Sequence, residues 1–185
     1  MMFVSLGLGV LIAVILIAIV SFATGGGSNS SSNVTIVSPT QPTNALVGTS
    51  VQDFHLSGLT QGTVSAPYAA GHPTVLIFFA SWCGPCQAEM PKVASYLAHH
   101  NLGAVRVVGV DTSDKRTNAL TFVTKSGVTF PVAFDQSASV ANGEFQLQGL
   151  PDTVFVNAKG VVTEVYQGAI PTSQLVSGIS HLTHA

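Results

Sequence analysis

The stretch VLIFFASWCGPCQAEMP, residues 75–91, decides the fold of this 185-residue chain. Its first six residues form a continuous apolar run, which predicts a strand buried on both faces, as in a sheet covered by helices. A helix should follow over residues 85–99, because a proline in the first helical turn gives up no hydrogen bond. Pro91 lies deeper in that helix and predicts a kink.

The alternation of strands and helices continues beyond this stretch. Strands are predicted at residues 105–110, 131–134, 153–157 and 161–167, and helices at residues 117–126, 137–145 and 171–184. Phe122, Phe130, Phe134 and Phe155 are assigned to the core. The order of elements indicates an α/β domain with a central mixed β-sheet flanked by helices.

The composition excludes several classes of protein. Apolar residues make up 46% of the chain and charged residues 8%, against about 25% charged residues in a typical soluble domain. The net charge of −2 and the lack of a Lys/Arg cluster give no basis for nucleic-acid binding. The two cysteines are too few for a disulfide scaffold and fit a redox pair or half of a metal site.

The beginning of the chain resembles a membrane segment. Residues 3–23 are almost wholly apolar and carry no charge, and about 20 such residues span a bilayer as a helix. We predict a transmembrane anchor at residues 1–24; the alternatives are a signal peptide cleaved after Ala23 and a buried helix. Residues 25–44, rich in Gly, Ser, Pro and Thr, predict a flexible linker, and residues 45–185 the folded domain.

Cys83 and Cys86 stand at the predicted start of a helix. Unpaired N–H groups and the helix dipole lower the pKa of a thiol there, so Cys83 should be the nucleophile. Cys86, one turn along, is placed to resolve a mixed disulfide formed at Cys83. The expected chemistry is thiol–disulfide exchange, with no metal and no cofactor beyond the redox-active disulfide Cys83–Cys86.

Three other uses of the cysteine pair remain open. A zinc site needs two more ligands, and the chain has no other cysteine and no histidine pair at a clear ligand spacing. A structural disulfide across so small a loop would stabilise little. A peroxidase on a related fold would need a threonine three residues before the reactive cysteine, where this chain has Ala80.

Residues 75–91 resemble the active-site segment of the thioredoxin-like family that includes TlpA, ResA and CcmG/DsbE. Its members are mostly membrane-anchored or exported bacterial thiol–disulfide oxidoreductases. Similar segments lie at residues 64–73, 107–110, 127–132 and 149–156, so the resemblance covers roughly residues 50–175. It implies a thioredoxin-like fold for the domain.

The resemblance also implies roles for single residues. Pro151 would follow a cis peptide bond and lie against the cysteines, where it offers backbone groups to an extended substrate. Glu89 matches the family's active-site acid and would carry the proton of Cys86; the alternative is a solvated helix residue. The implied substrate contacts are Trp82, Gly84, Pro85, Leu150 and Pro151. For Trp82 the alternative is simple packing.

Four positions depart from the family pattern, one of them Phe79, which stands where a Trp is common. Ile77 stands where cytosolic thioredoxins hold a buried Asp, and Gln87 replaces the usual basic residue. Asp152 follows the proline, where Thr is frequent. A carboxylate close to the thiols would oppose thiolate formation, although Asp152 at a strand start has the alternative of facing solvent.

The family implies a reductase in cytochrome c maturation or a related exported-protein pathway. The alternatives are an oxidase for exported proteins and a non-catalytic binding module. The expected partners are thiols and disulfides of exported proteins, apocytochrome c among them, and a membrane electron donor or acceptor. We expect a monomer in the bacterial cell membrane, single-pass, with an extracytoplasmic domain, or else a secreted protein.

Overall fold

A computed structural model describes residues 44–60 and 62–184. The strands are β1 (His55–Ser57), β2 (Thr63–Ser65), β3 (Thr74–Phe79), β4 (Arg106–Thr112), β5 (Val132–Asp135), β6 (Asp152–Val156) and β7 (Val162–Gln167). The α-helices are α1 (Gly84–His99), α2 (Arg116–Lys125) and α3 (Thr172–His184). Short 3-10 and π-helical segments lie at Pro67–Ala70 and Ser139–Glu144.

The main sheet has the strand order β5-β4-β3-β6-β7. β3 is parallel to β4 on one side and antiparallel to β6 on the other, and β4 and β5 are also parallel. The predicted mixed sheet flanked by helices is therefore confirmed. β3 is the middle strand and ends at Phe79. The two cysteines that follow it therefore lie beyond the carboxyl end of β3.

The burial of β3 on both faces of the sheet explains the apolar run at residues 75–80. All six residues of β3 are buried. On one face, Ile77 and Phe79 share a cluster with Cys83 and Cys86, and on the other Phe78 packs against Phe145. Of the four phenylalanines assigned to the core, Phe134 and Phe155 are buried, while Phe122 and Phe130 are partly buried against the first cluster.

Gly109 in β4 makes room for this packing. A Cβ atom there would lie 2.9 Å from the Phe79 ring, closer than side chains approach one another. The glycine therefore lets the Phe79 ring lie across β4.

Two local elements differ from the sequence expectations. The helix predicted at residues 137–145 is instead a shorter π-helical segment, Ser139–Glu144, and the Asp135 carboxylate anchors its first turn by accepting hydrogen bonds from the backbone N–H groups of Val140 and Ala141. The hairpin of β1 and β2 was not predicted, since each strand has three residues, too few to show an alternating pattern.

The N-terminal predictions fall outside the described residues. The anchor at residues 1–24 and nearly all of the linker at residues 25–44 lie there, so these bounds remain predictions. Within the described part of the chain, no helix has the length and apolar character needed to cross a membrane.

Candidate active site

Cys83 and Cys86 are joined by a disulfide bond at the first turn of α1. Cys83 is the N-cap residue, with extended backbone, and its Sγ accepts a hydrogen bond of 3.2 Å from the Cys86 N–H. Both cysteines are buried among the apolar residues between the sheet and α1. After reduction, the same backbone N–H would stabilise a thiolate on Cys83.

The loop before Cys83 is held by hydrogen bonds from both sides. The Ser81 N–H donates to Asp114 Oδ2 at 2.6 Å, and Gln87 Nε2 donates to the Ser81 carbonyl at 2.7 Å. Trp82 Nε1 donates to the Ser113 carbonyl at 3.0 Å, while 61% of the residue is exposed. Trp82 therefore lies on the surface beside the disulfide, in a fixed orientation.

A groove of about 860 Å³ opens beside the disulfide. Its lining comprises Trp82, Cys83, Gly84, Pro85, Thr112, Ser113, Ala141, Asn142, Gln146, Leu147, Gln148, Gly149 and Leu150. Four of the five predicted substrate contacts are among these residues, and the fifth, Pro151, is buried behind them. None of the described residues that line the groove is Asp, Glu, Lys, Arg or His.

The predicted cis peptide bond joins Leu150, which lines the groove, to Pro151. The Pro151 carbonyl accepts a hydrogen bond of 2.8 Å from the Gly168 N–H. The N–H of Leu150 donates to no acceptor within residues 44–60 and 62–184. It is available to an extended peptide lying in the groove.

Glu89 lies on α1 one turn beyond Cys86 and is only 6% exposed, so the alternative of a solvated helix residue is wrong. Neither carboxyl oxygen has a well-formed hydrogen bond to the described residues. Burial raises the pKa of Glu89 to about 7; the Ile170 N–H opposes this shift and Asp152 adds to it. A pocket of about 330 Å³ is lined in part by Glu89 and Ile170, while both carboxyl oxygens of Glu89 are buried.

Asp152 is also buried, so the alternative that it faces solvent is wrong. Its Oδ1 accepts a hydrogen bond of 3.1 Å from the Gly168 N–H, and its Oδ2 has no partner among the described residues. Burial raises the pKa of Asp152 to about 6, against the lowering effect of the Gly168 N–H.

A second pair of buried acids, Asp111 and Asp114, was missed by the sequence interpretation. Asp111 is fully buried at the carboxyl end of β4, and burial, reinforced by Asp114, raises its pKa to about 8. Asp114 is the acid that binds the Ser81 N–H. The sequence VVGVDTSD, residues 107–114, contained a signal for these two acids. Asp111 interrupts an apolar strand, and Asp114 follows it.

The chemistry available at this site is that of a dithiol with adjoining acids. A disulfide at a helix start can accept electrons from a thiol or, once reduced, donate them to a disulfide, and a buried acid with a pKa near 7 can exchange the accompanying proton. Among the described residues, no three His, Cys, Asp or Glu side chains are grouped as a metal site requires.

Comparisons with known proteins agree with the assignment of this site to thiol–disulfide exchange. Residues 46–180 match the Redoxin family. The thiol-disulfide oxidoreductase ResA of Oceanobacillus iheyensis is 30% identical over 133 residues, which cover 70% of this chain and 69% of that protein. The structure of MTB dsbF, in mixed oxidized and reduced forms, is 31% identical and superposes with a TM-score of 0.63, covering 70% of this chain and 94% of that one.

A secreted Mycobacterium tuberculosis disulfide oxidoreductase, homologous to E. coli DsbE, is 25% identical with a TM-score of 0.61, covering 70% of this chain and 96% of that one. The similarity therefore includes both the fold and the segment with the paired cysteines. This chain belongs to the Redoxin family, among the thiol–disulfide oxidoreductases of the ResA and DsbE type.

Proposed function

We propose that this protein reduces disulfides of exported proteins on the outer side of a bacterial membrane, with apocytochrome c as the first candidate substrate. The observation that carries the proposal is the position of the Cys83–Cys86 disulfide beside a groove of about 860 Å³ that Cys83 itself lines. The Leu150 N–H, which donates to no acceptor in the part of the chain that the structure describes, supports binding of the peptide backbone in the groove beside Cys83.

The proposed cycle begins with the reduced pair. The Cys83 thiolate attacks one sulfur of the substrate disulfide, the substrate S–S bond breaks, and the other substrate sulfur leaves as a thiolate. Cys86 then loses its proton to Glu89 and attacks Cys83 Sγ. This step forms the Cys83–Cys86 disulfide and releases the second substrate thiolate. The substrate gains two electrons, which a membrane electron donor must return to the pair.

The surroundings of the cysteines favour the reducing direction. An oxidase of this kind needs a strongly stabilised thiolate, because a stable reduced form makes the disulfide a strong oxidant. Here Gln87 supplies no positive charge, the described groove residues include no cation, and the nearest titratable groups on α1 and β6 are the acids Glu89 and Asp152. The helix start alone favours the Cys83 thiolate.

The reduction potential tests the direction. The oxidised protein is equilibrated with glutathione buffers, and the fraction of free thiol is measured. We expect a potential near that of thioredoxin, about −270 mV. A value near −120 mV, as in strong oxidases, would instead support the oxidase alternative.

Cysteine variants test whether the protein is catalytic. Cys83→Ser should abolish reduction of a disulfide-containing protein substrate, whereas Cys86→Ser should accumulate a mixed disulfide at Cys83 that cannot be resolved. Equal rates for the wild type and Cys83→Ser would favour a binding module without redox chemistry.

The location and assembly state form a separate part of the proposal. The apolar residues 3–23 support a single-pass anchor, and the likeness to a secreted oxidoreductase supports an extracytoplasmic domain. In intact cells, a membrane-impermeant maleimide should label the reduced cysteines, and the protein should remain in the membrane fraction. Recovery from the medium would support the secreted alternative, and sedimentation in detergent should give a monomer.

A further inference from the structure

The groove beside the disulfide has an uncharged lining. Its polar lining residues carry only hydroxyl or amide side chains, namely Thr112, Ser113, Asn142, Gln146 and Gln148. Its apolar surface comes in part from Trp82, Pro85 and Leu150. A groove of this kind offers hydrogen bonds and apolar contact to a bound molecule, but no ion pair.

The charged groups near this lining in the sequence lie outside it. Asp111, Asp114 and Asp152 are buried, and none of them lines the groove. Lys115 is exposed but lies outside the lining too. Glu144 lines a neighbouring pocket, where its carboxylate accepts a backbone hydrogen bond. Within the described part of the chain, a charged side chain that enters the groove therefore meets no group of opposite charge in its lining.

The amide groups of the lining suit the backbone of a peptide. Asn142 and Gln146 are exposed, and an amide side chain both donates and accepts hydrogen bonds without carrying a charge. The Leu150 N–H adds a backbone donor that the described residues leave unused. The exposed Trp82 ring, oriented by its hydrogen bond to the Ser113 carbonyl, offers a flat apolar surface to a side chain beside it. These groups can hold an extended segment with apolar, hydroxyl or amide side chains.

We propose that the groove selects substrate segments that carry no charged side chain beside the cysteine that reacts with Cys83. The inference rests on the proposed function and adds the substrate class, a polypeptide segment with apolar, hydroxyl or amide side chains on both sides of that cysteine. A lysine or a glutamate in the groove would lose water and gain no ion-pair partner. Both signs of charge are therefore disfavoured, whereas a charged groove would favour one of them.

The test compares peptides of one length that contain the same internal disulfide. The parent peptide has serine, alanine and glutamine beside its cysteines, and in two further peptides lysine or glutamate replaces one of these residues. The pre-reduced full-length protein in detergent is mixed with each peptide, and the rate constant of a single turnover is measured. The same peptides are reduced by dithiothreitol, which is uncharged and has no groove. The ratio of rate constants, protein over dithiothreitol, removes the effect of the added charge on the peptide thiols themselves.

The rate ratio for the parent peptide should exceed those for the lysine and glutamate peptides by about tenfold. It should also change little between about 0.05 and 0.5 M salt, because no ion pair forms. The proposal is overturned if the ratio is the same for all three peptides or falls for only one sign of charge. A strong salt dependence for the parent peptide would overturn it as well.

A charge placed in the lining should create a preference that the wild type lacks. In Asn142→Asp the rate ratio of the lysine peptide over the glutamate peptide, near one in the wild type, should rise about fivefold. Asn101→Asp is the matched control, because Asn101 follows the far end of α1 and its side-chain oxygen can still accept the Gly103 N–H. An unchanged preference in folded Asn142→Asp would overturn the inference, and the wild-type ratios decide it without this variant.

A binding measurement separates this inference from the proposed function. Peptide analogues with serine in place of both cysteines are titrated into the oxidised protein, and the fluorescence of Trp82, the single tryptophan of the chain, reports binding. The parent analogue should bind about tenfold more tightly than its charged counterparts. Equal binding of all three, or no binding, would overturn the inference. Absence of reduction for every peptide would instead refute the proposed function, and the binding preference would still decide the selectivity of the groove.

Discussion

Burial raises the pKa of Glu89 on α1, and the buried carboxyl group of Asp152 on β6 raises it further. Asp152, with a pKa raised to about 6, loses its proton first, so Glu89 faces a charged neighbour when it titrates at about pH 7. A general acid–base group is most effective when its pKa lies near the working pH. Burial, with Asp152 adding to it, therefore brings the pKa of Glu89 to about 7, one turn of α1 beyond the cysteine whose proton it is proposed to carry.

Replacing Glu89 by Gln should slow thiol–disulfide exchange at pH 7 by about 100-fold, the range typical of general acid–base catalysis. The step in the pH–rate profile near pH 7 should disappear with it. The measurement is kcat/KM for reduction of a disulfide substrate between pH 5 and 9. Glu164→Gln, on β7 away from the groove, is the matched control and should behave as the wild type. An unchanged profile in Glu89→Gln would exclude the proton-carrier role.

Replacing Asp152 by Asn should move the same step to lower pH. The amide oxygen can still accept the Gly168 N–H, but the negative charge that raises the pKa of Glu89 is gone. The midpoint of the pH–rate profile measures the shift, and in Glu89→Gln the additional Asp152→Asn change should have no effect on it. A midpoint that stays near 7 in Asp152→Asn would show that the two carboxyl groups act independently.

Local sequence patterns were enough to predict most of the fold and the central part of the site. The apolar run before Cys83 and the proline after it were enough to predict β3, α1 and the position of Cys83 at the helix start, although not that Cys83 is the N-cap residue. The burial of Asp111 and Asp152 could not be predicted from such patterns, because each is buried by residues that are distant in the sequence. Asp111 pairs with Phe79 in β3, and Asp152 accepts a hydrogen bond from Gly168 after β7.

The groove could not be predicted from a local sequence pattern either. Part of its lining comes from residues 141–142 and 146–150, where Gln146 has a positive φ of 48° and no regular periodicity shows in the sequence. The resemblance to a known family supplied Leu150 and Pro151. Asn142, Gln146 and Gln148 could not be assigned without the folded chain.

The protein should be more stable at pH 5 than at pH 9. Asp111, Glu89 and Asp152 have folded-state pKa values above those of the unfolded chain, about 8, 7 and 6 against 3.8, 4.5 and 3.8. The native state therefore binds more protons, and this stability is complete below about pH 4 and is lost as the pH rises through the folded values. Each unit of pKa difference corresponds to about 1.4 kcal/mol.

Thermal unfolding of the oxidised protein at several pH values measures this dependence. The melting temperature should fall between pH 5 and pH 9, and Asp111→Asn should show a smaller fall because its side chain cannot ionise. A melting temperature that rises over this range would contradict the raised pKa values, since stability would then grow as the buried acids lose their protons.

Two glycines should separate stability from activity. A Cβ atom on Gly178 of α3 would lie 2.3 Å from Phe155 Cε1, so Gly178→Ala should lower the free energy of unfolding by about 1–3 kcal/mol. It should leave the exchange rate unchanged, because Gly178 lies outside the groove.

A Cβ atom on Gly84 would meet nothing within 4 Å, so Gly84→Ala should keep stability. Gly84 lines the groove beside Cys83, however, and the added methyl group should raise KM for a protein disulfide. Loss of stability in Gly84→Ala, or loss of exchange in folded Gly178→Ala, would contradict the positions assigned to these residues.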